Sequence, residues 1–299
     1  MTFNDDSDIS GGRVTRRSGG GRTGAIVGGG GSILLVIAVA VISQLTGVDL
    51  TGLVSGGTID AGTSQGTGTE TDLSAECRTG AQANESDDCR IQGAAASLET
   101  YWAGQVNGYQ GPAGIVLFSG STSSGCGMAT TDVGPFYCPA DQTIYVDTAF
   151  YDQIRQQFGD DLGSLAQLYI IGHEWGHHIQ NLVGIMDGKD LQRTGATSDS
   201  VRLELQADCF AGAWIGDQAT TLDENGVPYL EPPTDAEIQD ALGAAATVGD
   251  DTIQEAVQGS AHPESFTHGT SEQRQRWFMT GYQGSPGSCD TFAVSGSQL

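Results

Sequence analysis

The chain has 299 residues, of which 38% are hydrophobic, and its 12 Lys+Arg against 37 Asp+Glu give a formal net charge of −25. That length accommodates one good-sized domain together with a membrane segment and linkers. Four basic residues, Arg13, Arg16, Arg17 and Arg22, precede the first long apolar run; from residue 25 onward eight basic residues face 34 acidic ones, which argues against nucleic acid or anionic lipid as the main partner.

Residues 25–48, AIVGGGGSILLVIAVAVISQLTGV, carry no charge and become densely apolar from Ile33 to Leu45. This stretch predicts a transmembrane helix. The arginines lie before it and none follows until Arg78, so the positive-inside rule expects residues 1–24 in the cytoplasm and the acidic bulk outside it. A cleaved signal peptide is the rival reading, because Ala38, Val39 and Ala40 form a small-x-small site. The apolar run continues past those alanines, which favours an uncleaved anchor. Residues 49–76, rich in Gly, Thr and Ser, read as a flexible linker, and residues 77–299 as the folded domain. The expectation is a single-pass membrane protein with its main domain outside the cytoplasm.

Six cysteines, at 77, 89, 126, 138, 209 and 289, suit disulfides in such a compartment. Cys77 with Cys89 and Cys126 with Cys138 would close short loops, leaving Cys209 for Cys289, although six cysteines allow about 15 pairings. No pair has the C-x-x-C spacing of a structural zinc site.

Within the domain, residues 93–106 place Leu98, Tyr101, Trp102 and Val106 at helical spacing. Short β-rich runs follow at Ile115–Phe118 and Thr143–Val146, and the stretch around Thr143 to Asp147 is the expected sheet edge. From Ser164, LAQLYIIGHEWGHHIQNLVG repeats apolar residues at three and four, with Ser164 and Gly184 as cap candidates. Another helix is expected at 200–219 and a short one near Thr252 to Val257, and capping boxes at Thr234/Glu237 and Thr270/Gln273 mark two more. The fold class is therefore α+β, mainly helical with a small sheet.

His173, Glu174, Trp175, Gly176 and His177 spell H-E-x-x-H, and a spacing of four puts both imidazoles on one helix face. That pattern suits one zinc ion, with Glu174 beside it as general base. Glu204, in E-L-Q-A-D on the next expected helix, supplies a third ligand. Asp208 lies one turn further on the same face, able to accept the second N–H of a ligating histidine. Two carboxylates in a stretch as apolar as LELQADCFAGAWI need a metal or donors to justify their burial. His178 points about 100° around the helix from His177 and reads as structural or as a donor behind the ligands. His262, before Pro263, reads as a surface residue. His268 precedes a capped helix carrying Arg274 and Arg276, where an imidazole is placed to hydrogen-bond an oxyanion.

Four motifs in order, G-P-F-Y-C-P-A-D-Q, H-E-W-G-H-H-I-Q-N-L, R-L-E-L-Q-A-D-C-F-A-G and F-T-H-G-T-S-E-Q-R-Q-R-W-F, resemble the bacterial putative neutral zinc metallopeptidase family, from about Cys77 to the end. The resemblance implies a gluzincin-like fold and a zinc site. The T-H-G-T-S-E-Q-R segment also looks like the T-H-P-x-x-x-x-R element of membrane-integrated peptidases, with Gly269 in place of the proline. That likeness implies transition-state roles for His268 and Arg274; Arg274 reads equally well as a partner for Asp208 or Glu174.

The expected activity is zinc-dependent endopeptidase hydrolysis of a peptide or protein substrate, by a water that zinc activates and Glu174 deprotonates. The alternatives are a membrane-tethered binding or scaffolding protein that keeps the fold without turnover, and zinc-dependent hydrolysis of a non-peptide bond.

Overall fold

The computed structural model describes residues 2–17, 70–150 and 163–299. Its strands are β1 (Val14–Arg17), β2 (Glu70–Asp72), β3 (Gly114–Phe118), β4 (Ser121–Ser124), β5 (Gly127–Thr130), β6 (Phe136–Cys138) and β7 (Thr143–Asp147). Five of them form a sheet in the order β2-β1-β3-β7-β6, parallel from β1 through β3 to β7 and antiparallel at both margins. Side chains alternate across it. Ile115, Leu117, Ile144 and Val146 join the main core, while Val116, Phe118, Phe136, Cys138 and Tyr145 form a second cluster with Cys126 and Ala129 of the β4–β5 hairpin.

The helices are α1 (Gly80–Glu85), α2 (Asp87–Gln105), α3 (Ser164–Leu182), α4 (Asp199–Gly216), α5 (Asp235–Thr247), α6 (Asp250–Gln258) and α7 (Ser271–Tyr282). Expected and observed elements agree within a few residues, apart from α2, which starts at Asp87 because Ser86 caps it by accepting the Cys89 amide. Both expected capping boxes form. Ser164 is the first helical residue and Gly163 the cap. At the other end Gly184 takes φ 74°, and the Gly184 and Ile185 amides return to the Asn181 and Gln180 carbonyls. This Schellman closure needs the left-handed conformation that glycine adopts without strain.

The sequence misplaced the sheet edge. β7 is internal, hydrogen-bonded to β3 on one side and β6 on the other, and the edge nearest α3 is β6. A three-residue strand, Phe-Tyr-Cys, is too short to show a period of two.

Residues 2–17 form part of the domain, not a tail. Phe3, Ile9 and Val14 are buried, and β1 lies between β2 and β3 with Val14 opposite Ile115. The arginines that suggested cytoplasmic topology are structural partners: Arg13 reaches Glu99 at 3.1 Å, Arg16 pairs with Asp88, and Arg17 contacts Glu70 at 2.7 Å. Residues 70–76, expected in the linker, are β2 and a short 3-10 turn.

Among the described residues no helix is long and apolar enough to cross a membrane. The expected anchor, 25–48, lies outside the described residues. On either side of it, residues 14–17 pair with strands at 70–72 and 114–118 in one sheet.

Three helices meet through small residues. A Cβ at Gly176 of α3 would lie 3.0 Å from the Ala207 Cα on α4, and one at Gly172 3.2 Å from the Ala211 Cβ. On the other side of α4, a Cβ at Gly212 would fall 2.0 Å from the Phe278 carbonyl of α7, and one at Gly281 1.9 Å from the Cys209 carbonyl. These approaches bring His173 and His177, Glu204 and Asp208, and Arg274 together in the core.

Candidate metal centre

The faces of α3 and α4 that meet carry the expected ligands. His173, His177 and Glu204 are all buried, and one ligand atom from each lies within 4.8 Å of the others. The His173 Nε2 is 3.1 Å from one Glu204 oxygen and the His177 Nε2 3.5 Å from the other. A tetrahedral zinc with bonds of about 2.0–2.1 Å separates its ligand atoms by about 3.3 Å, so this spacing fits. Charge fits as well. Glu174, Glu204 and Asp208 are buried with one buried guanidinium, Arg274, leaving a formal excess of two negative charges that a divalent cation would balance.

Behind His173 lies a closed set of donors and acceptors. Its Nδ1–H donates to Asp208 at 2.8 Å, and Asp208 also accepts from Tyr169 at 2.5 Å and from the Arg274 Nε and a terminal nitrogen at 2.8 Å each. Burial works against ionised Asp208, but Arg274 and His173 hold its pKa below the ordinary range. Burial likewise disfavours charged His173, yet Asp208 and Glu204 outweigh it and raise the ring to about 10. Glu204 is held well below its usual value: burial pushes it up, and His177 and His268 more than offset that.

Glu174 stands next to the first ligand without belonging to the ligand set. Burial raises its pKa, and among the groups that work against this rise are His173, His177 and the nearby backbone amide of Tyr137 on β6. The edge strand thus passes beside this carboxylate. The Tyr137 hydroxyl fixes the same strand to α3: it donates to His178 Nδ1 at 3.1 Å and accepts from Asn181 at 3.0 Å, while His178 Nε2–H donates to the Gln110 carbonyl at 2.8 Å. His178 is structural, as expected, and burial lowers its pKa.

His268 is partly buried on the loop before α7. Asp250, the first residue of α6, accepts the amides of Thr267, His268 and Gly269 through one oxygen and faces the His268 Nδ1 at 3.4 Å through the other. Burial disfavours charged His268, but Glu204 and Asp250 raise its pKa on balance. Arg274 stands on the Nδ1 side of His173, bonded to Asp208, Tyr169 and the Val248 carbonyl, the place of a partner for Asp208. His262 is exposed beside Glu264, as expected.

Tyr169, Gln180 and Asp250 escaped the sequence reading. Tyr169 lies one turn before His173 and Gln180 three residues after His177, so helical spacing alone offered a signal. Asp250 offered none beyond an acid in a helix's first turn. The three disulfides are Cys77–Cys89 and Cys126–Cys138, the short loops that spacing favoured, and Cys209–Cys289, the pair those two leave over.

Comparison with known proteins agrees with this centre. The family model described as putative neutral zinc metallopeptidase matches residues 4–292. An uncharacterised protein of Mycobacterium tuberculosis strain H37Rv is 46% identical over 255 residues, covering 85% of this chain and 86% of its own. The uncharacterised protein YpfJ of Escherichia coli K12 is 39% identical over 271 residues, covering 87% of this chain and 86% of its own. No solved structure matches.

Proposed function

The chain belongs to the family described as putative neutral zinc metallopeptidase, and from that premise we propose that it hydrolyses peptide bonds, with His173, His177 and Glu204 holding one zinc ion and Glu174 as general base. The observation that carries the reading is the position of Glu174: beside the ligand cluster, outside it, buried, with a raised pKa and an edge strand at hand.

When bound, zinc supplies a Lewis acid that polarises a carbonyl and brings the pKa of water toward about 7. Glu174 takes the proton of the attacking water and passes it to the leaving amine. Its raised pKa suits both steps, because a base nearer neutrality can also give the proton back. Asp208 keeps the His173 Nδ1 protonated so that Nε2 faces the metal, and Arg274 and Tyr169 hold Asp208 in place. Arg274 thus serves as a positioning residue. His268, oriented by Asp250, donates to the developing oxyanion. An extended substrate pairs with β6, whose Tyr137 amide lies at Glu174.

Three disulfides favour an oxidising compartment outside the cytoplasm, and residues 2–17 share it because they share the sheet. The function is tested by profiling cleavage of a diverse peptide library by purified protein. Cleavage that a chelator abolishes and zinc restores supports peptidase activity. Stoichiometric zinc with no cleavage of any peptide would point to a binding protein instead.

A further inference from the structure

The two histidines of the centre are supported by unlike partners. His173 rests on an anionic carboxylate neutralised by Arg274, whereas the Nδ1 of His177 faces a neutral amide, the Oε1 of Gln180, at 2.9 Å. Gln180 is completely buried, and Gln206 and His177 nearly so. The oxygen and nitrogen of a side-chain amide are told apart by the donors and acceptors around them. Here the neighbours decide it.

The Gln180 Nε2 lies 2.7 Å from the Leu203 carbonyl and 3.1 Å from the Gln206 Oε1. The Gln206 Nε2 in turn lies 2.9 Å from the Cys289 carbonyl. Backbone carbonyls only accept, so both amide nitrogens must point at them and both amide oxygens must point back along the chain. The sequence of donors then has one direction: His177 Nδ1–H to Gln180, Gln180 to Leu203 and Gln206, Gln206 to Cys289. Flipping Gln180 would set its oxygen against the Leu203 carbonyl and leave a buried acceptor unpaired, at about 1–3 kcal/mol.

We infer that Gln180 is a positioning residue: a directional amide relay, rooted in the Leu203 and Cys289 carbonyls, fixes His177 in its Nδ1–H tautomer and turns the Nε2 lone pair toward the metal position. The relay's far end is the C-terminal tail. Cys289 is held to α4 by its disulfide with Cys209, and Arg202 on the same helix accepts the Thr291 hydroxyl at its own carbonyl and donates to the Val294 carbonyl at 3.1 Å. The tail is in this way a support of the metal centre although it supplies no ligand. The inference rests on the zinc reading only for the function of the aligned Nε2; the tautomer is a property of the metal-free protein.

The test is a long-range ¹H–¹⁵N correlation spectrum of the imidazoles in metal-free wild type, at a pH where His177 is neutral, with zinc affinity measured by chelator competition. An Nδ1–H signal for His177 is expected. An Nε2–H signal overturns the relay whatever the zinc result, and wild type that binds no zinc overturns the metal reading alone. Gln180→Leu should weaken zinc binding about 10- to 100-fold, as loss of such outer partners does. Gln180→Glu keeps an acceptor for His177 and should recover most of that affinity, even where its melting temperature is lower. Affinity that merely tracks the melting temperatures of Gln180→Leu, Gln180→Glu and Gln206→Leu would reduce Gln180 to a packing role and overturn the inference.

Discussion

Arg274 reaches Asp208 through two contacts of 2.8 Å, Nε to one carboxylate oxygen and a terminal nitrogen to the other. Both residues are buried, and neither is exposed enough for water to replace the other. Breaking a buried pair from one side leaves an uncompensated charge, at about 3–5 kcal/mol. Arg274→Ala should lower the stability of the metal-free protein by about that amount in urea unfolding. Arg274→Lys should recover only part of it, since an ammonium cannot match the two-point geometry. Full recovery by lysine would show that only the charge is needed.

Asp250 gives the clearest pH signature away from the ligands. Burial opposes its ionisation, but His268 and the loop amides hold its pKa below the ordinary value. A depressed folded pKa contributes stability that is present above the unfolded value of about 3.9 and is lost as pH falls through the folded one. Asp250→Asn should therefore be destabilised at pH 7, and its deficit against wild type should shrink as pH drops below about 4. A deficit constant from pH 7 to 3 would assign it to packing.

The N-terminal segment invites two tests. Phe3 packs on α2 where a Cβ at Gly93 would meet its ring at 2.5 Å, so Phe3→Ala should cost about 3–5 kcal/mol. Topology is tested with single cysteines at Gly11 and Gly243, both exposed and with open space for a side chain. A membrane-impermeant maleimide added to intact cells should label both positions or neither. Labelling of Gly243→Cys with protection of Gly11→Cys would contradict the shared sheet.

The close helix contact between α4 and α7 should tolerate no added methyl. Gly212→Ala would drive a Cβ to within 2.0 Å of the Phe278 carbonyl, so the helices must separate and carry Arg274 away from Asp208. Overpacking of this kind costs about 1–3 kcal/mol, and here the loss of the ion pair adds to it. A melting temperature equal to wild type would place the helices differently.

What the sequence made legible was local. Periodicity and caps located α3, α4, α5 and α7, and H-E-x-x-H with E-L-Q-A-D placed three ligand candidates and Asp208 on two facing helices. The short cysteine loops closed as spacing suggested. What stayed hidden depended on distant partners. β1 is polar and Arg-rich, and only its pairing with β3, some hundred residues later, makes it a strand. Its arginines carried a topogenic signal by count and a structural one by contact. Gln180 and Gln206 look like ordinary helix residues until the Cys289 carbonyl supplies a direction.

The central claim, that Glu174 is the base beside a zinc site it does not help to form, is tested most directly by Glu174→Gln, with zinc content and cleavage of the same peptide library measured on each protein. One zinc per chain in both proteins, with cleavage reduced by about 10²- to 10⁴-fold in the variant, is the expected result. Unchanged cleavage, or loss of zinc along with activity, would contradict it.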